Sequence, residues 1–139
     1  MKTEGMRLDG SPTILLAEDD VPIRTMIATI LGMRNYNVLA AGHGGEAMAM
    51  SESFQGRIDL LVTDIMMPVM NGRDLAAKLS SSRPGLGVLF ISGFPGDHLP
   101  ESLGSDSPVD YLAKPFRPDS LLSKIGDLIV KCERIKPAG

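Results

Sequence analysis

Residues 58–72 read Ile58-Asp59-Leu60-Leu61-Val62-Thr63-Asp64-Ile65-Met66-Met67-Pro68-Val69-Met70-Asn71-Gly72, an apolar run that meets a carboxylate and then a turn marked by Pro and Gly. The run predicts a strand over residues 58–63, covered on both faces because it is apolar almost throughout. Asp64 then stands at the strand's C-terminal edge. Ligands bind at that edge in open α/β sheets, so a carboxylate there is a better candidate for chemistry than for fold support.

The same alternation of short apolar runs and amphipathic segments extends in both directions. Upstream, residues 13–17 form a strand that ends in Glu18-Asp19-Asp20, and Ile23, Met26, Ile27, Ile30 and Leu31 mark one face of the helix that follows. Asp20 is its predicted N-cap, Pro22 fits its first turn, and Gly32 or Asn35 closes it. Residues 37–41 predict the next strand. Gly42-His43-Gly44-Gly45 is a turn ahead of a helix over 46–53.

Downstream, Leu75, Ala76 and Leu79 mark a helix that Arg83-Pro84-Gly85 terminates. A strand over 87–91 ends at Ser92-Gly93, and a strand over 109–113 ends at Lys114-Pro115. The last helix carries Leu121, Leu122, Ile125, Leu128 and Ile129 inward, with Asp119 as its cap or first-turn acid. Between these, Pro95, Gly96, Pro100, Gly104 and Pro108 predict only a short or irregular fourth helix.

Five βα units imply an α/β, doubly wound parallel five-stranded sheet. The expected organisation is a single domain over residues 12–135, with a mobile extension over 1–11 and a tail over 136–139. Right-handed crossovers open every strand's C-terminal end onto one edge. Glu18, Asp19, Asp64, Ser92 and Lys114 all fall at or just beyond such ends.

The chain has 139 residues, is 43% hydrophobic, and carries 14 basic against 17 acidic side chains for a net charge of -3. That balance argues against a sequence-independent hold on nucleic acid. No apolar stretch reaches the length of a membrane span, and the first residues lack a signal-peptide pattern. The single cysteine, Cys132, has no disulfide partner and no metal-ligand spacing around it, and reads as a small buried apolar residue. These features predict a cytoplasmic setting.

Three carboxylates gathered in one small site repel one another unless a cation compensates. Mg²⁺ suits them, being a hard ion that takes oxygen ligands and binds through one or two carboxylates, waters and a substrate phosphate, whereas no His or Cys nearby favours zinc. Asp64 can then act as a nucleophile toward phosphorus, with Lys114 neutralising charge on the phosphoryl oxygens and Ser92 donating a hydrogen bond to one of them.

With Glu18-Asp19, the segment Asp64 to Gly72, Ser92 and Lys114-Pro115-Phe116 in place, the chain resembles the receiver domains of two-component response regulators, over about residues 13–131. The resemblance implies a flavodoxin-like fold with strand order 2-1-3-4-5. It implies Asp64 as phosphoacceptor, Asp19 as direct metal ligand, Glu18 acting through water, and the Met66 backbone carbonyl as a further ligand to Mg²⁺. Ser92 and Lys114 become the phosphate-sensing pair, Tyr111 the candidate switch aromatic, and Lys114-Pro115 a cis bond. Met66 and Phe94 take the two positions that tune the phosphate's lifetime. Neither can orient an attacking water and both can shield the phosphorus, which predicts slow autodephosphorylation. The implied partners are a histidine kinase or histidine phosphotransferase and a downstream protein on the face of the fourth helix, fifth strand and last helix. A homodimer is left open, as is whether this is a stand-alone regulator or the receiver of a hybrid histidine kinase, which the stretch over residues 94–116 resembles.

Blander readings stand beside these. Asp20 is more a helix cap than a ligand, Tyr111 serves packing as readily as switching, His98 has no assigned role, and Met66, Met67 and Met70 fill gaps. Two other functions compete with a receiver that is not itself an enzyme. One is a receiver-like binding module that is never phosphorylated. The other is a Mg²⁺-dependent phosphatase of the haloacid-dehalogenase type, which needs a second Asp where Met66 stands.

Overall fold

The computed structural model describes residues 10–93 and 107–135, with side chains through residue 132. Five strands, β1 (Thr13–Ala17), β2 (Asn37–Ala41), β3 (Leu60–Asp64), β4 (Gly87–Ser92) and β5 (Val109–Ala113), form one parallel sheet in the order β2-β1-β3-β4-β5. Four helices accompany them among the described residues: α1 (Val21–Met33), α2 (Gly44–Ser53), α3 (Gly72–Ser82) and α4 (Pro118–Ile135). The predicted doubly wound sheet and its strand order are therefore found. The irregular helix was expected over residues 94–108, of which 94–106 lie outside the described residues, as do most of the expected extension and the tail; the last predicted helix is α4.

Alternation along each strand divides the core. Leu15, Ala17, Leu61, Val88 and Phe90 face α2 and α3, meeting Ala47, Leu75, Ala76 and Leu79. Ile14, Leu16, Leu60, Val62, Leu89 and Ile91 face α1 and α4, meeting Ile27, Leu31, Leu121, Ile125 and Leu128. Both faces of the central strands are thus removed from water, which explains why β3 and β4 read as continuous apolar runs.

Local boundaries follow the capping chemistry. Asp20 caps α1, its Oδ1 accepting from the Ile23 backbone N–H at 3.1 Å. Asn35, at φ 65°, closes α1 as anticipated, while Gly32 stays inside the helix. α2 starts two residues before the predicted helix because His43 is its N-cap, Nδ1 accepting from Glu46 N–H at 3.1 Å. β3 starts later than expected and includes Asp64. Asp59 is turned to other work, its carboxylate accepting from Thr13 N–H at 2.8 Å and pairing with Arg57 at 3.1 Å.

Candidate functional site

Three strand ends deliver the predicted polar groups to one place. Glu18 follows β1, Asp64 ends β3, and Lys114 follows β5. Lys114 Nζ lies 3.0 Å from Glu18 Oε1 and 2.9 Å from Asp64 Oδ2. Glu18 is 1% exposed and Asp64 7% exposed, so this ammonium bridges two carboxylates withdrawn from water. Asp19 is exposed beside them, and Glu18, Asp19 and Asp64 each offer an oxygen within 4.8 Å of the others.

The backbone enforces this spacing. Asp64 pairs in register with Ile91, whose carbonyl accepts from Ile65 N–H at 3.1 Å. Ser92 pairs with Ala113, and its carbonyl accepts from Lys114 N–H at 2.7 Å. The ladder therefore sets Asp64, Ser92 and Lys114 side by side along the sheet edge. The Lys114-Pro115 bond is cis, as the resemblance implied.

Opposing influences act on each ionisable group. Burial, countered by the hydrogen bond from Lys114 and reinforced by Asp64, raises the Glu18 carboxyl from 4.5 to about 7. Burial also works against the Lys114 ammonium, but its hydrogen bonds to Asp64 and Glu18 prevail and hold its pKa above the ordinary value. When all three carboxylates are ionised, one ammonium leaves an excess of two negative charges that a divalent cation would balance. The donors are hard oxygens without His or Cys among them, so the site fits Mg²⁺ better than zinc.

The loop from β3 to α3 completes the surroundings. Met66 is 54% exposed there and Met67 is buried in the core, so only Met67 and the half-buried Met70 fill gaps as expected. Asn71 caps α3 by accepting from Asp74 N–H at 2.9 Å. On β5, Tyr111 stacks on buried Phe90 at 5.7 Å between ring centres. This places the candidate switch aromatic directly on the core. Phe94, the other lifetime position, and His98 lie outside the described residues.

The fold agrees with what is found among known proteins. The family model of the response regulator receiver domain matches residues 14–126.

The chain belongs to the response regulator receiver family.

It is 34% identical over 119 residues to the response regulator receiver protein CpdR of Brucella abortus, covering 84% of this chain and 96% of that protein. It is 33% identical over 124 residues to the sensor kinase CckA of the same organism, covering 89% of this chain but 13% of the kinase. It also spans about half the length of the transcriptional regulators that it matches. Among solved structures, the receiver domain from the hybrid histidine kinase CckA superposes with a TM-score of 0.72 at 32% identity, over 84% of this chain and 98% of that one. The chain is thus a phosphoryl-accepting receiver domain of two-component signalling, a class that works with histidine kinases or phosphotransfer proteins. No helix among the described residues is long and apolar enough to cross a membrane.

Four residues carry structural roles that were not read from the sequence. Arg24 reaches back from α1 to the Glu18 carbonyl at 2.8 Å. His43 caps α2. Gly72 lies against the Asp64 backbone, where a Cβ would stand 2.1 Å from the carbonyl oxygen. Arg83 bonds the Ser51 hydroxyl and the carbonyls of Ser51, Phe54 and Gly56 at 2.8–3.0 Å, holding the end of α2. His43 was expected only as a turn residue, Gly72 as the close of the turn that begins at Asp64 and Arg83 as part of a helix end, while Arg24 had no signal.

Proposed function

We propose that Asp64 is the phosphoacceptor of this receiver and that the chain stores a phosphoryl group as a signal, without turning over a separate substrate. The observation that carries the reading is the Lys114 bridge, which sets an ammonium 2.9 Å from the Asp64 carboxylate and 3.0 Å from Glu18. An Asp64 oxygen attacks phosphorus, and the bond from phosphorus to the donor breaks. The leaving group, the imidazole of a phosphohistidine or the acetate of acetyl phosphate, departs with the electron pair. Lys114, freed from one carboxylate oxygen, turns to the phosphoryl oxygens, and the Ser92 hydroxyl donates to another.

Asp19, Asp64 and the Met66 carbonyl would hold Mg²⁺, with Glu18 acting through water. Bound there, the ion would supply positive charge to the phosphoryl oxygens. The exposed thioether of Met66 offers neither an acid nor a base to a water, which favours a long-lived acyl phosphate and disfavours the phosphatase reading. The phosphodonor is a histidine kinase or histidine phosphotransferase in the cytoplasm. In this reading Tyr111 relays the state to a downstream protein on the face of β5 and α4, a role supported by its stacking on Phe90.

Incubation with acetyl phosphate and Mg²⁺ followed by intact mass tests this. One added phosphoryl group, dependent on Mg²⁺ and absent from Asp64→Ala, is expected. No added mass on the wild-type protein would support the unphosphorylated binding module instead.

A further inference from the structure

Of the three carboxylates, Asp19 alone is exposed, so packing of its own side chain does not fix where it points. Its aim depends on the peptide unit that joins Glu18 to Asp19. The carbonyl of that unit, Glu18 C=O, accepts from Arg24 Nη1 at 2.8 Å, and the peptide before it is anchored by Glu18 N–H donating to the Ala41 carbonyl at 3.1 Å. The Arg24 bond is charge-assisted and therefore among the stronger kinds.

The guanidinium sits where the turn after β2 leaves room for it. A Cβ on Gly42 would stand 3.0 Å from Arg24 Nη1, so a side chain there would crowd the guanidinium, while it would meet Glu46 Oε1 at an ordinary contact distance of 3.5 Å. Glu46 Oε1 in turn accepts from Gly42 N–H at 2.5 Å, fixing the turn against which Arg24 rests. One side chain from α1 thus links the exit of β1 to the exit of β2.

We infer that Arg24 is a positioning residue for the metal site: by gripping the Glu18 carbonyl it orients the peptide that carries Asp19 and so pre-organises the Asp19 carboxylate toward Asp64. Resting on the metal-assisted reading above, this adds a residue that touches neither metal nor phosphoryl group. Groups that orient metal ligands from behind typically change metal affinity by roughly 10- to 100-fold when removed.

The test compares wild type with Arg24→Ala, Arg24→Lys and Gly42→Ala. Amide hydrogen exchange of Asp19 and Asp20 is measured in metal-free protein, Mg²⁺ affinity by NMR titration, and the acetyl phosphate reaction at saturating Mg²⁺. Arg24→Ala is expected to speed exchange at Asp19 and Asp20 and to weaken Mg²⁺ binding by roughly tenfold. Its phosphorylation rate at saturating Mg²⁺ should stay within about twofold of wild type, a split that general destabilisation would not produce. Arg24→Lys, which retains a donor, should recover part of the affinity, and Gly42→Ala should show a smaller loss. Should Arg24→Ala fail to fold, the other two variants carry the comparison. Unchanged exchange and unchanged Mg²⁺ affinity in the folded variants overturn the inference. Absence of Mg²⁺ binding in the wild type overturns the metal-site reading itself, and exchange at Asp19 and Asp20 then decides on its own whether Arg24 holds this peptide.

Discussion

Gly72, the first residue of α3, touches the backbone of Asp64: a Cβ added to it would lie 2.1 Å from the Asp64 carbonyl oxygen and 3.1 Å from the Ile65 Cα. Gly72 N–H also donates to the Ile65 carbonyl at 2.8 Å. The helix that follows the site is therefore closed directly against the strand end that presents the carboxylate. Gly72→Ala cannot be accommodated by rotating a side chain, because the obstacle is backbone. Overpacking of this kind costs about 1–3 kcal/mol, and the variant should show that loss in urea unfolding together with slower phosphorylation. An unchanged unfolding midpoint would show that the loop can yield.

Lys114 faces two carboxylates, so Lys114→Gln should do two separable things. It removes the cation from the phosphoryl oxygens, and the acetyl phosphate reaction should slow by on the order of a hundredfold. It also leaves Glu18 and Asp64 facing each other without an ammonium, so Mg²⁺ should stabilise the variant against heat more than it stabilises wild type. Equal thermal shifts on adding Mg²⁺ would contradict the second effect.

Glu18 gives the metal-free protein a pH signature. Its carboxyl is raised from 4.5 to about 7, so the folded state holds a proton that the unfolded state has already released. The contribution is complete below about 4.5 and is lost as pH rises toward about 7. Metal-free stability should therefore decline across that window more steeply in wild type than in Glu18→Gln, as read by urea midpoints at several pH values. Mg²⁺ affinity should rise over the same window, because the cation competes with that proton.

Arg83 makes four hydrogen bonds to the end of α2 and the loop after it. Arg83→Ala leaves the carbonyls of Ser51, Phe54 and Gly56 without this donor and should cost about 2 kcal/mol, with faster amide exchange near residues 51–56 and little change in phosphorylation. A slowed phosphorylation at full folding would mean that this corner is coupled to the site.

Met66 stands exposed two residues after Asp64. Met66→Asn supplies an amide able to orient a water, and the phosphorylated protein should decay several-fold faster than wild type. An equal decay rate would remove Met66 from the control of lifetime.

The parts legible in the sequence were those with a short-range period. β1, β2 and β5 fall on the residues expected because an apolar run between turn residues fixes them locally. Asp20, Asn35 and the strand-end carboxylates were readable for the same reason. β3 shifted because Asp59 bonds Thr13, a partner 46 residues away that no local pattern shows. His43 looked like a turn residue until its ring nitrogen was seen to cap α2. The contacts of Arg24 and Arg83 were invisible, since all but the bond from Arg83 to the Ser51 hydroxyl go to backbone carbonyls, which leave no mark in sequence. What brings Lys114 to Asp64 is the β3-β4-β5 ladder, which only the topology reveals.

Locating the phosphoryl group tests the central claim most directly. Protein treated with acetyl phosphate and Mg²⁺ is reduced with borohydride, which converts an aspartyl phosphate to homoserine, then digested and sequenced by tandem mass spectrometry. The account predicts homoserine at position 64 alone, and none when Mg²⁺ is omitted. An unmodified Asp64, or homoserine at Asp19 or Asp20 in its place, would contradict it.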